Sequence, residues 1–422
     1  MVIIPTKTSS FEELVNNFIK DSKISCLLDL GKTLERIDQK LFENKQSHLK
    51  VVKFKERVIQ TTIGMLRFKR RYYYDEFEGK YRYLLDAFLM IPKRNRYMDS
   101  VKLKILEAAS EMSYEKAGRY ACADNLPASK STVFRLLHQA CFYVEDNNAI
   151  IPNPEKIHVQ IDEKFLSINH KKTKQKFYTA TIFKGINNVG KKRILLNKTL
   201  ISARTQKTLF NRINSALKRK YKVLIDDEIY VSGDLATYIQ NSPSKLLVCK
   251  SIYVPDKYHV IHAIKNETNL TVNKFHLNNP IYLEAISQTL ENSDTVDSKK
   301  LLKLINRNPE IFSVYIEKEY RGCSQECMNS HYYASRFAKV PNKWNIETVE
   351  KISKIIEAKV NKQIVKIGFA DSYYDMPYDL EFSIDLETIA TPIVNTEGMP
   401  YAMKKFFDRI QNGFDGKIIW TE

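Results

Sequence analysis

The 422-residue sequence predicts a multidomain α/β protein, with a helical and small-sheet region ahead of an α/β core. A chain of this length, with 43% hydrophobic residues, can bury more than one core. The segment IIPNPEK at 150–156 contains two prolines and is typical of a linker, and strand-like segments follow it in close succession. We therefore divide the chain into residues 1–150, 151–344 and 345–422, and the role of the last region stays open.

The charge of the chain is strongly positive, at +18 from 67 Lys and Arg against 49 Asp and Glu. Residues 341–422 contain 10 basic and 13 acidic residues, so residues 1–340 carry +21. An excess of that sign and size indicates a polyanionic partner, and we expect nucleic acid. A charge that serves only solubility is the alternative.

The cysteine pattern and the N-terminus help to predict the cellular compartment of the protein. Six cysteines are scattered along the chain, which does not indicate a disulfide framework. The start, MVIIPTKTSS, lacks the basic and apolar regions of a secretory signal, and no stretch has the roughly 18 apolar residues of a membrane helix. We expect a cytoplasmic, nucleoid-associated protein without a membrane partner.

The first region begins with a predicted helix and continues with extended chain. Residues 10–45 show apolar residues at helical spacing, and residues 51–74 mix β-branched, aromatic and basic residues as strands do. The extended part ends in Lys69, Arg70 and Arg71 beside three tyrosines, and KYRY follows. Cations between aromatic rings suit a nucleic-acid strand, although ordinary cross-strand pairing in a hairpin accounts for them equally well.

A helix-turn-helix is predicted near residues 113–140, within a mainly helical stretch at 102–145. A helix at Tyr114–Cys122 is followed by a turn and by a second helix that Ser129 caps. The second helix has one apolar face, formed by Val133, Leu136, Leu137 and Ala140. Such a helix can enter a major groove, although the pattern also arises by chance. Four polar residues lie off the apolar face: Lys130, Ser131, Arg135 and His138. The first three are our DNA-binding candidates.

The second region contains three predicted strands, a helix and two further strands. The strands are IHVQIDEKFLSI, QKFYTATIFKGI, KRILLNKTLIS, EIYVSGDLATYI and LLVCKSIYV, with the helix at 205–220 before the fourth. A helical insertion follows at about 260–318, then a helix near Ser324 and another at 345–361. Three strands, a helix and a strand that ends at an acidic residue is the order of an RNase-H-like fold. In that fold the first strand carries one acid centrally, a second acid follows the fourth strand, and a third comes from a later helix.

Three carboxylates occupy those positions: Asp162 within the first strand, Asp234 after the fourth and Glu326 on the later helix. A charged group inside an apolar strand is costly unless it is paired or binds metal. Phosphoryl transfer at a DNA backbone uses two divalent ions held by carboxylates, and Mg²⁺ or Mn²⁺ fits such ligands. Each acid taken singly is also consistent with an ordinary solvated or paired residue. Other acids of the same type lie nearby: Glu163, Asp226, Asp227 and Glu228.

Two further patterns are less specific. Cys323, Cys327 and His331 are spaced by four and would share one face of a helix, but no fourth zinc ligand is evident. The segment NHKKTKQK is predicted to be a hairpin tip, and its Lys171 and Lys172 fit either a solvated turn or a clamp on DNA.

Six short motifs, in order, carry a family resemblance. They are YLLD at 83–86, SYEKAG at 113–118, IHVQIDEKF at 157–165, the GD of VSGDLATYI at 231–239, DKYHV at 256–260 and GCSQE at 322–326. With these motifs, roughly residues 50–345 resemble the Lre-type insertion-sequence transposases, a bacterial DDE family related to the Mutator-like group. The chain has Leu235, Tyr238 and Cys327 where that family often has Gly, Trp and Gly.

The resemblance implies a DNA transposase with Asp162, Asp234 and Glu326 as its catalytic, metal-binding triad. It implies supporting roles for Asp256 and His259, which match an Asp-x-x-His element of the family. The partners would be double-stranded DNA, as element ends and target, and further copies of the chain in a dimer or higher oligomer. The alternatives are a catalytically inactive, DNA-binding descendant of such an enzyme and an RNase-H-like nuclease that acts on RNA.

Overall fold

A computed structural model describes residues 10–122, 127–145, 156–190, 192–293, 295–307, 309–317, 320, 322–338, 343–369, 371 and 373–377. These residues form two compact units. The described part of the first unit extends to Tyr143 and resumes at Lys366, and that of the second lies between Val144 and Val365. The predicted linker at 150–156 lies, except for Lys156, outside the described residues, as do residues 378–422.

The first unit begins with a long helix that packs against a three-stranded antiparallel sheet. The elements are α1 (Ser10–Glu43), β1 (Leu49–Gln60), β2 (Met65–Asp75), β3 (Lys80–Arg82) and the short α2 (Leu84–Phe88), with strand order β1-β2-β3. Because β3 pairs only with the end of β2, the rest of that edge of β2 needs another partner. Glu35 and Asp38 of α1 supply it by accepting hydrogen bonds from the backbone N–H groups of Lys69 and Arg71. The helix therefore covers the strand edge.

A cluster of three helices follows in the same unit: α3 (Asp99–Glu111), α4 (Tyr114–Ala121) and α5 (Lys130–Gln139). Ser113 and Ser129 cap α4 and α5 through their hydroxyls, which accept from the N–H groups of Lys116 and Thr132. A Cβ atom on Gly118 would lie 2.0 Å from the Ala128 carbonyl oxygen, so glycine is needed where α4 meets the start of α5. The chain then forms β4 (Ala140–Glu145).

The second unit is built on a five-stranded mixed sheet. Its strands are β5 (Ile157–Leu166), β6 (Gln175–Lys184), β9 (Thr199–Ala203), β10 (Glu228–Gly233) and β11 (Lys250–Pro255), in the order β11-β10-β5-β6-β9. The pairs β5–β6 and β6–β9 are antiparallel, whereas β10 runs parallel to both β5 and β11. Between β6 and β9 in the sequence, the chain forms a separate two-stranded hairpin of β7 (Ile186–Val189) and β8 (Lys192–Leu195).

Helices pack against this sheet. The crossover from β9 to β10 is α6 (Gln206–Arg219), which buries its apolar side chains with those of β5, β6 and β10 in one core. After β10 come α7 (Thr237–Gln240) and a 3₁₀ turn at Ser242–Lys245. The region after β11 is helical, as predicted: α8 (Lys257–Thr268), α9 (Lys274–Leu277), α10 (Pro280–Glu291), α11 (Val296–Arg307) and a 3₁₀ segment (Pro309–Ile316).

The last described helices of the unit also contact the sheet. The first is continuous and consists of α12 (Gln325–Met328), a π-helical stretch (Asn329–Ala334) and α13 (Ser335–Phe337). The second is α14 (Ile346–Val360), and β12 (Ile364–Phe369) follows and pairs with β4. Glu357 and Asn361 bind the backbone N–H groups of Ser202 and Leu200 at 2.6 and 2.7 Å and thereby satisfy the outer edge of β9.

Several sequence predictions need correction. The extended stretch 51–74 is two strands joined by a turn, and residues 140–145 form β4 instead of continuing the helix. The predicted strand KRILLNKTLIS is divided into β8 and β9. The predicted boundary at 344 is misplaced, because α14 binds β9 and belongs to the second unit. The prediction of a mixed α/β architecture is confirmed.

No helix within the described ranges combines the length and apolar composition that crossing a membrane requires.

Candidate functional site

The parallel pairing of β5, β10 and β11 ends at a row of aspartates. Gly233, the last residue of β10, pairs with Ile161 on one side and Pro255 on the other. The next residue in each chain segment is an aspartate: Asp234, Asp162 and Asp256. The backbone N–H of Asp256 donates to the Gly233 carbonyl at 2.7 Å and so extends the pairing by one residue. Three carboxylates thus begin from neighbouring backbone positions at one edge of the sheet.

Local hydrogen bonds orient each carboxylate in the same way. One oxygen of each aspartate accepts from a nearby backbone N–H: Glu163 to Asp162 at 2.7 Å, Ala236 to Asp234 at 2.9 Å, and Tyr258 to Asp256 at 3.0 Å. The adjacent backbone therefore holds one oxygen of each acid. For Asp162 the second oxygen accepts from the side-chain amide of Asn329 at 2.7 Å.

The electrostatics of the row are those of crowded like charges. Burial raises the pKa of the Asp162 carboxyl, and the charges of Asp234 and Glu163 act in the same direction, against the hydrogen bonds from Glu163 and Asn329. Burial also raises the pKa of the Asp256 carboxyl, and the charge of Glu326 adds to that rise. Such carboxylates gain stability from a cation between them.

The Cys323 thiol lies where the fields of the three aspartates overlap. Burial raises its pKa to about 12, and the charges of Asp256, Asp162 and Asp234 all contribute to the rise. This thiol precedes α12 and is not on the same helix as Cys327 and His331, so the three do not share a helical face. Among the described residues, no three His, Cys, Asp or Glu side chains lie close enough to hold one metal ion together.

Glu326 is brought to this edge by α12, whose neighbouring residues are anchored to the sheet. Gln325 and Asn329 are buried and bind Thr179 of β6, whereas the Glu326 side chain is exposed. The segment before α12 is fixed by Gln160 of β5, whose amide binds the Gly322 carbonyl and the Ser324 backbone. The third predicted acid is thus next to the aspartate row and points to solvent.

His259 lies one helical turn after Asp256 on α8, with 4.0 Å between its Nε2 and Asp256 Oδ2. Asp256 is the N-cap of that helix. The two residues of the Asp-x-x-His element thus lie together at the start of α8. Phenolic groups buttress the same edge, since Tyr253 donates to the Asp234 carbonyl at 2.7 Å and Tyr315 donates to the Pro255 carbonyl at 2.8 Å.

The topology separates the other acids from the row. Asp226, Asp227 and Glu228 precede or begin β10, so they lie at the opposite edge of the sheet from Asp234. Glu163 is nearly buried and its carboxylate lies 2.5 Å from the Lys176 ammonium. Lys176 was not among the sequence candidates, although it is a cation within the electrostatic field of Asp234.

The basic residues predicted to bind DNA fall into two groups. Arg70 is buried, forms an ion pair with Asp86 at 2.7 Å and stacks on Tyr83, so it cannot reach a DNA backbone as we predicted. Arg71 is half-buried and pairs with Asp38 at 2.7 Å. The two carboxylates offset the cost of burying these arginine side chains. Lys69 is exposed, as are Lys171 and Lys172 in the turn between β5 and β6.

The remaining DNA-binding candidates lie in the cluster of α3, α4 and α5. Val133, Leu136, Leu137 and Ala140 are buried, which confirms the predicted apolar face of α5. Ser131 and Arg135 are exposed, and His138 is half-buried and stacks against Phe134. Lys130 is exposed but lies 2.8 Å from Glu115 of α4. Among the described residues, Arg135 forms no ion pair, so its charge is directed to solvent.

The fold and the site define a mixed α/β protein with carboxylates gathered where the parallel pairing of its strands ends. Residues 5–368 match Uncharacterised protein family (UPF0236), and the chain belongs to that family. Two similar proteins come from Caldanaerobacter subterraneus subsp. tengcongensis. UPF0236 protein TTE0402 is 27% identical over 344 residues, which cover 76% of this chain and 68% of that protein. UPF0236 protein TTE0610/TTE0881/TTE1053/TTE2432 is 27% identical over 344 residues, which cover 76% of this chain and 72% of that protein.

Proposed function

We propose that the protein is a DNA transposase that cleaves the ends of an insertion sequence and joins them to target DNA. The observation that carries the proposal is the position of the acids. Asp162 and Asp234 follow paired residues on adjacent parallel strands, and α12 brings Glu326 to the same edge. Crowded carboxylates of this kind are suited to divalent ions, and divalent ions are suited to phosphoryl transfer.

The strand order supports an RNase-H-like interpretation of the sheet. Counted from β5, the five strands lie in the order third, second, first, fourth, fifth. The first strand is therefore central, and the fourth lies directly beside it. This order places an acid within the first strand next to an acid after the fourth, as that fold requires.

The chemistry of the side chains fits Mg²⁺ or Mn²⁺. All the acids offer hard oxygen ligands, and each aspartate in the row has one oxygen that is not bound by the adjacent backbone. Burial raises the pKa of the Asp162 carboxyl, and the charge of Asp234 adds to that rise, so a nearby cation would stabilise the ionised form. Asp162, Asp234 and Glu326 would hold the ions, which supply an activated nucleophile and charge stabilisation at the scissile phosphate.

The protein groups have distinct tasks in this proposal. The carboxylates of Asp162 and Asp234 are held in place by hydrogen bonds from the adjacent backbone. Asp256, as a helix cap contacting His259, supports the edge from the neighbouring strand. Lys176, held by Glu163, offers a cation for a backbone phosphate near the acids.

The first unit would recognise DNA through its helix-turn-helix. The exposed Ser131 and Arg135 lie on the solvent side of α5, opposite its apolar face. A helix in this position can be inserted into a major groove, where arginine binds guanine edges. The charge of +21 on residues 1–340 would add affinity that does not depend on sequence.

The name of one relative adds independent support. It is UPF0236 protein TTE0033/TTE0744/TTE0838/TTE0852/TTE1082/TTE1247/TTE1519/TTE1678/TTE1739/TTE1823/TTE2212, from the same Caldanaerobacter strain. A name that joins eleven locus designations is what repeated copies of one mobile element in a genome would give.

The test is metal-dependent nicking of a labelled duplex that carries the DNA flanking the gene. Asp162→Asn, Asp234→Asn and Glu326→Gln each remove a charge and nearly preserve shape. Each should abolish cleavage in Mg²⁺ or Mn²⁺ and retain DNA binding, and combinations should be no worse than single changes. Asp226→Asn is the control, because Asp226 is 89% exposed at the opposite edge of the sheet.

Three outcomes would contradict the proposal in different ways. Binding of element ends without any cleavage by the unaltered protein would indicate an inactive DNA-binding descendant. Cleavage of RNA in preference to element ends would indicate a nuclease. Normal cleavage by Glu326→Gln would leave the class of enzyme intact and remove the third acid.

A further inference from the structure

A chain of buried polar groups links α12 to the aspartate row. The Gln325 amide donates to the Thr179 hydroxyl at 3.1 Å. That hydroxyl donates to Asn329 Oδ1 at 2.6 Å, and the Asp162 carbonyl is a more distant second acceptor at 3.1 Å. The Asn329 amide then donates to Asp162 Oδ2 at 2.7 Å. The donors all point in the same direction and end at the carboxylate, so each bond polarises the next.

This chain is completely enclosed. Gln325 and Thr179 are inaccessible to solvent and Asn329 is 2% exposed. Burial of so many polar groups is costly unless they are hydrogen-bonded. An apolar contact would pack α12 on β6 without that cost, so the retained polar groups need another explanation than packing.

A second set of bonds acts in the opposite direction, from the strand to the helix. Gln160 is buried two residues before Asp162 and on the same face of β5. Its Nε2 donates to the Gly322 carbonyl at 2.8 Å, and its Oε1 accepts from the backbone N–H and the hydroxyl of Ser324, both at 2.9 Å. One side chain therefore fixes the segment that leads into Glu326.

From these contacts we infer that Asn329 and Gln160 are reciprocal positioning residues of the proposed metal site. The helix that carries Glu326 sets the orientation of the Asp162 carboxylate through Asn329. The strand that carries Asp162 sets the position of Glu326 through Gln160. Neither residue touches the reacting atoms, and the inference rests on the proposed function of Asp162 and Glu326.

The physical reason is rotational freedom. A carboxylate bound only by the adjacent backbone can rotate about its last side-chain bond, whereas Asp162 is held at both oxygens, by the Glu163 N–H and by Asn329. A metal ion then meets a ligand already in one orientation, and less order has to be imposed on binding. The π-helical turn starts at Asn329, where a widened turn can direct a side chain that a regular helix would direct elsewhere.

The test measures Mn²⁺ binding to the full-length protein by electron paramagnetic resonance, without DNA. Thr179→Val removes the hydroxyl that holds Asn329 and keeps the shape of the side chain. It should weaken Mn²⁺ binding about 10- to 100-fold, the usual effect of losing a partner of a metal ligand. Asn329→Ala should weaken it at least as much, and Thr179→Ser, which retains the hydroxyl, should restore binding.

Thr181→Val is a matched control on the same strand. Thr181 is as buried as Thr179 and lies on the same face of β6, but its hydroxyl has no hydrogen-bond partner in the described structure. This variant should bind Mn²⁺ as the unaltered protein does. Thermal melting of both valine variants separates a loss of metal binding from a loss of folding.

The role of Gln160 is tested with a double variant that also changes Glu326. Gln160→Met keeps the volume and loses all three bonds, so it should weaken Mn²⁺ binding and reduce the cleavage rate while DNA affinity is unchanged. If it acts through Glu326, the double variant Gln160→Met/Glu326→Gln should bind Mn²⁺ no more weakly than Glu326→Gln alone.

The outcomes separate this inference from the proposed function. Equal Mn²⁺ affinity in Thr179→Val, Asn329→Ala and the unaltered protein would overturn the inference and leave the metal site standing. Additive losses of Mn²⁺ affinity in the double variant would overturn the role of Gln160. Failure of the unaltered protein to bind Mn²⁺ at all would overturn both the inference and the metal site on which it rests.

Discussion

Gly233 sets the distance between two of the proposed metal ligands. It is the last residue of β10, directly before Asp234, and it pairs with Ile161, directly before Asp162. A Cβ atom built on Gly233 would lie 2.5 Å from the Ile161 carbonyl oxygen and 2.9 and 3.0 Å from side-chain carbons of Ile239. The perturbation is therefore Gly233→Ala, which adds one methyl group between the two strands.

The magnitude follows from these distances. An ordinary contact of this kind begins at 3.4 Å, so the carbonyl of β5 and the new methyl group must separate by about 0.9 Å. The Ile161 carbonyl belongs to the backbone and cannot rotate away as a side chain can. Overpacking of this degree typically costs about 1–3 kcal/mol of stability. A shift of about 1 Å between groups that act together can reduce the rate about 100-fold.

The assay combines chemical unfolding with the nicking of a labelled element end. We expect Gly233→Ala to unfold at lower denaturant concentration and to cleave about 100-fold more slowly, with DNA affinity unchanged. Gly368→Ala is the control, because the nearest atom to its added methyl group is a ring carbon of Tyr143 at 3.9 Å.

Two results would refute the reasoning. If Gly233→Ala has the stability and rate of the unaltered protein, the strands are not as close as described at this position. If stability falls and the rate does not, the spacing of Asp162 and Asp234 is not critical to the reaction.

Two further predictions concern His158 and Arg135. Burial lowers the pKa of His158 to about 4 from 6.5, so below pH 6.5 the unfolded chain gains a proton that the folded chain does not. The free energy of unfolding should therefore fall by up to about 3 kcal/mol between pH 6.5 and 4. His158→Phe should flatten this part of the pH curve, and an unchanged slope would assign it to other groups. Arg135→Ala should weaken binding to the element end by about 1–3 kcal/mol and affect random duplex less. Equal losses on the two duplexes would make Arg135 a phosphate contact.

The positions of the main strands along the chain could be predicted from the sequence because apolar periodicity is a local property. Alternation in the segments around Asp162 and Asp234 gave β5 and β10 close to their observed bounds. Hydroxyl caps and helical spacing likewise located α5, whose predicted apolar face is buried. The three acids followed from their places relative to these elements.

The predictions that failed depended on distant partners. A run of Lys and Arg beside tyrosines has the same local pattern whether its cations face solvent or acids elsewhere in the chain. Arg70 and Arg71 are held by Asp86 and Asp38, 16 and 33 positions away. Strand division within KRILLNKTLIS was also missed, because its two halves pair with different strands.

By itself, the sequence determined the alternating strands, the capped helices, the excess of positive charge and the identity of the acids. These are properties of single residues and of their near neighbours. Only the tertiary structure decided that β10 lies beside β5, that Asp256 joins the row and that Gln160 and Asn329 connect strand and helix. Those contacts join residues between 22 and 167 positions apart, and a hydrogen bond between such residues is fixed by the packed fold and has no periodicity along the chain.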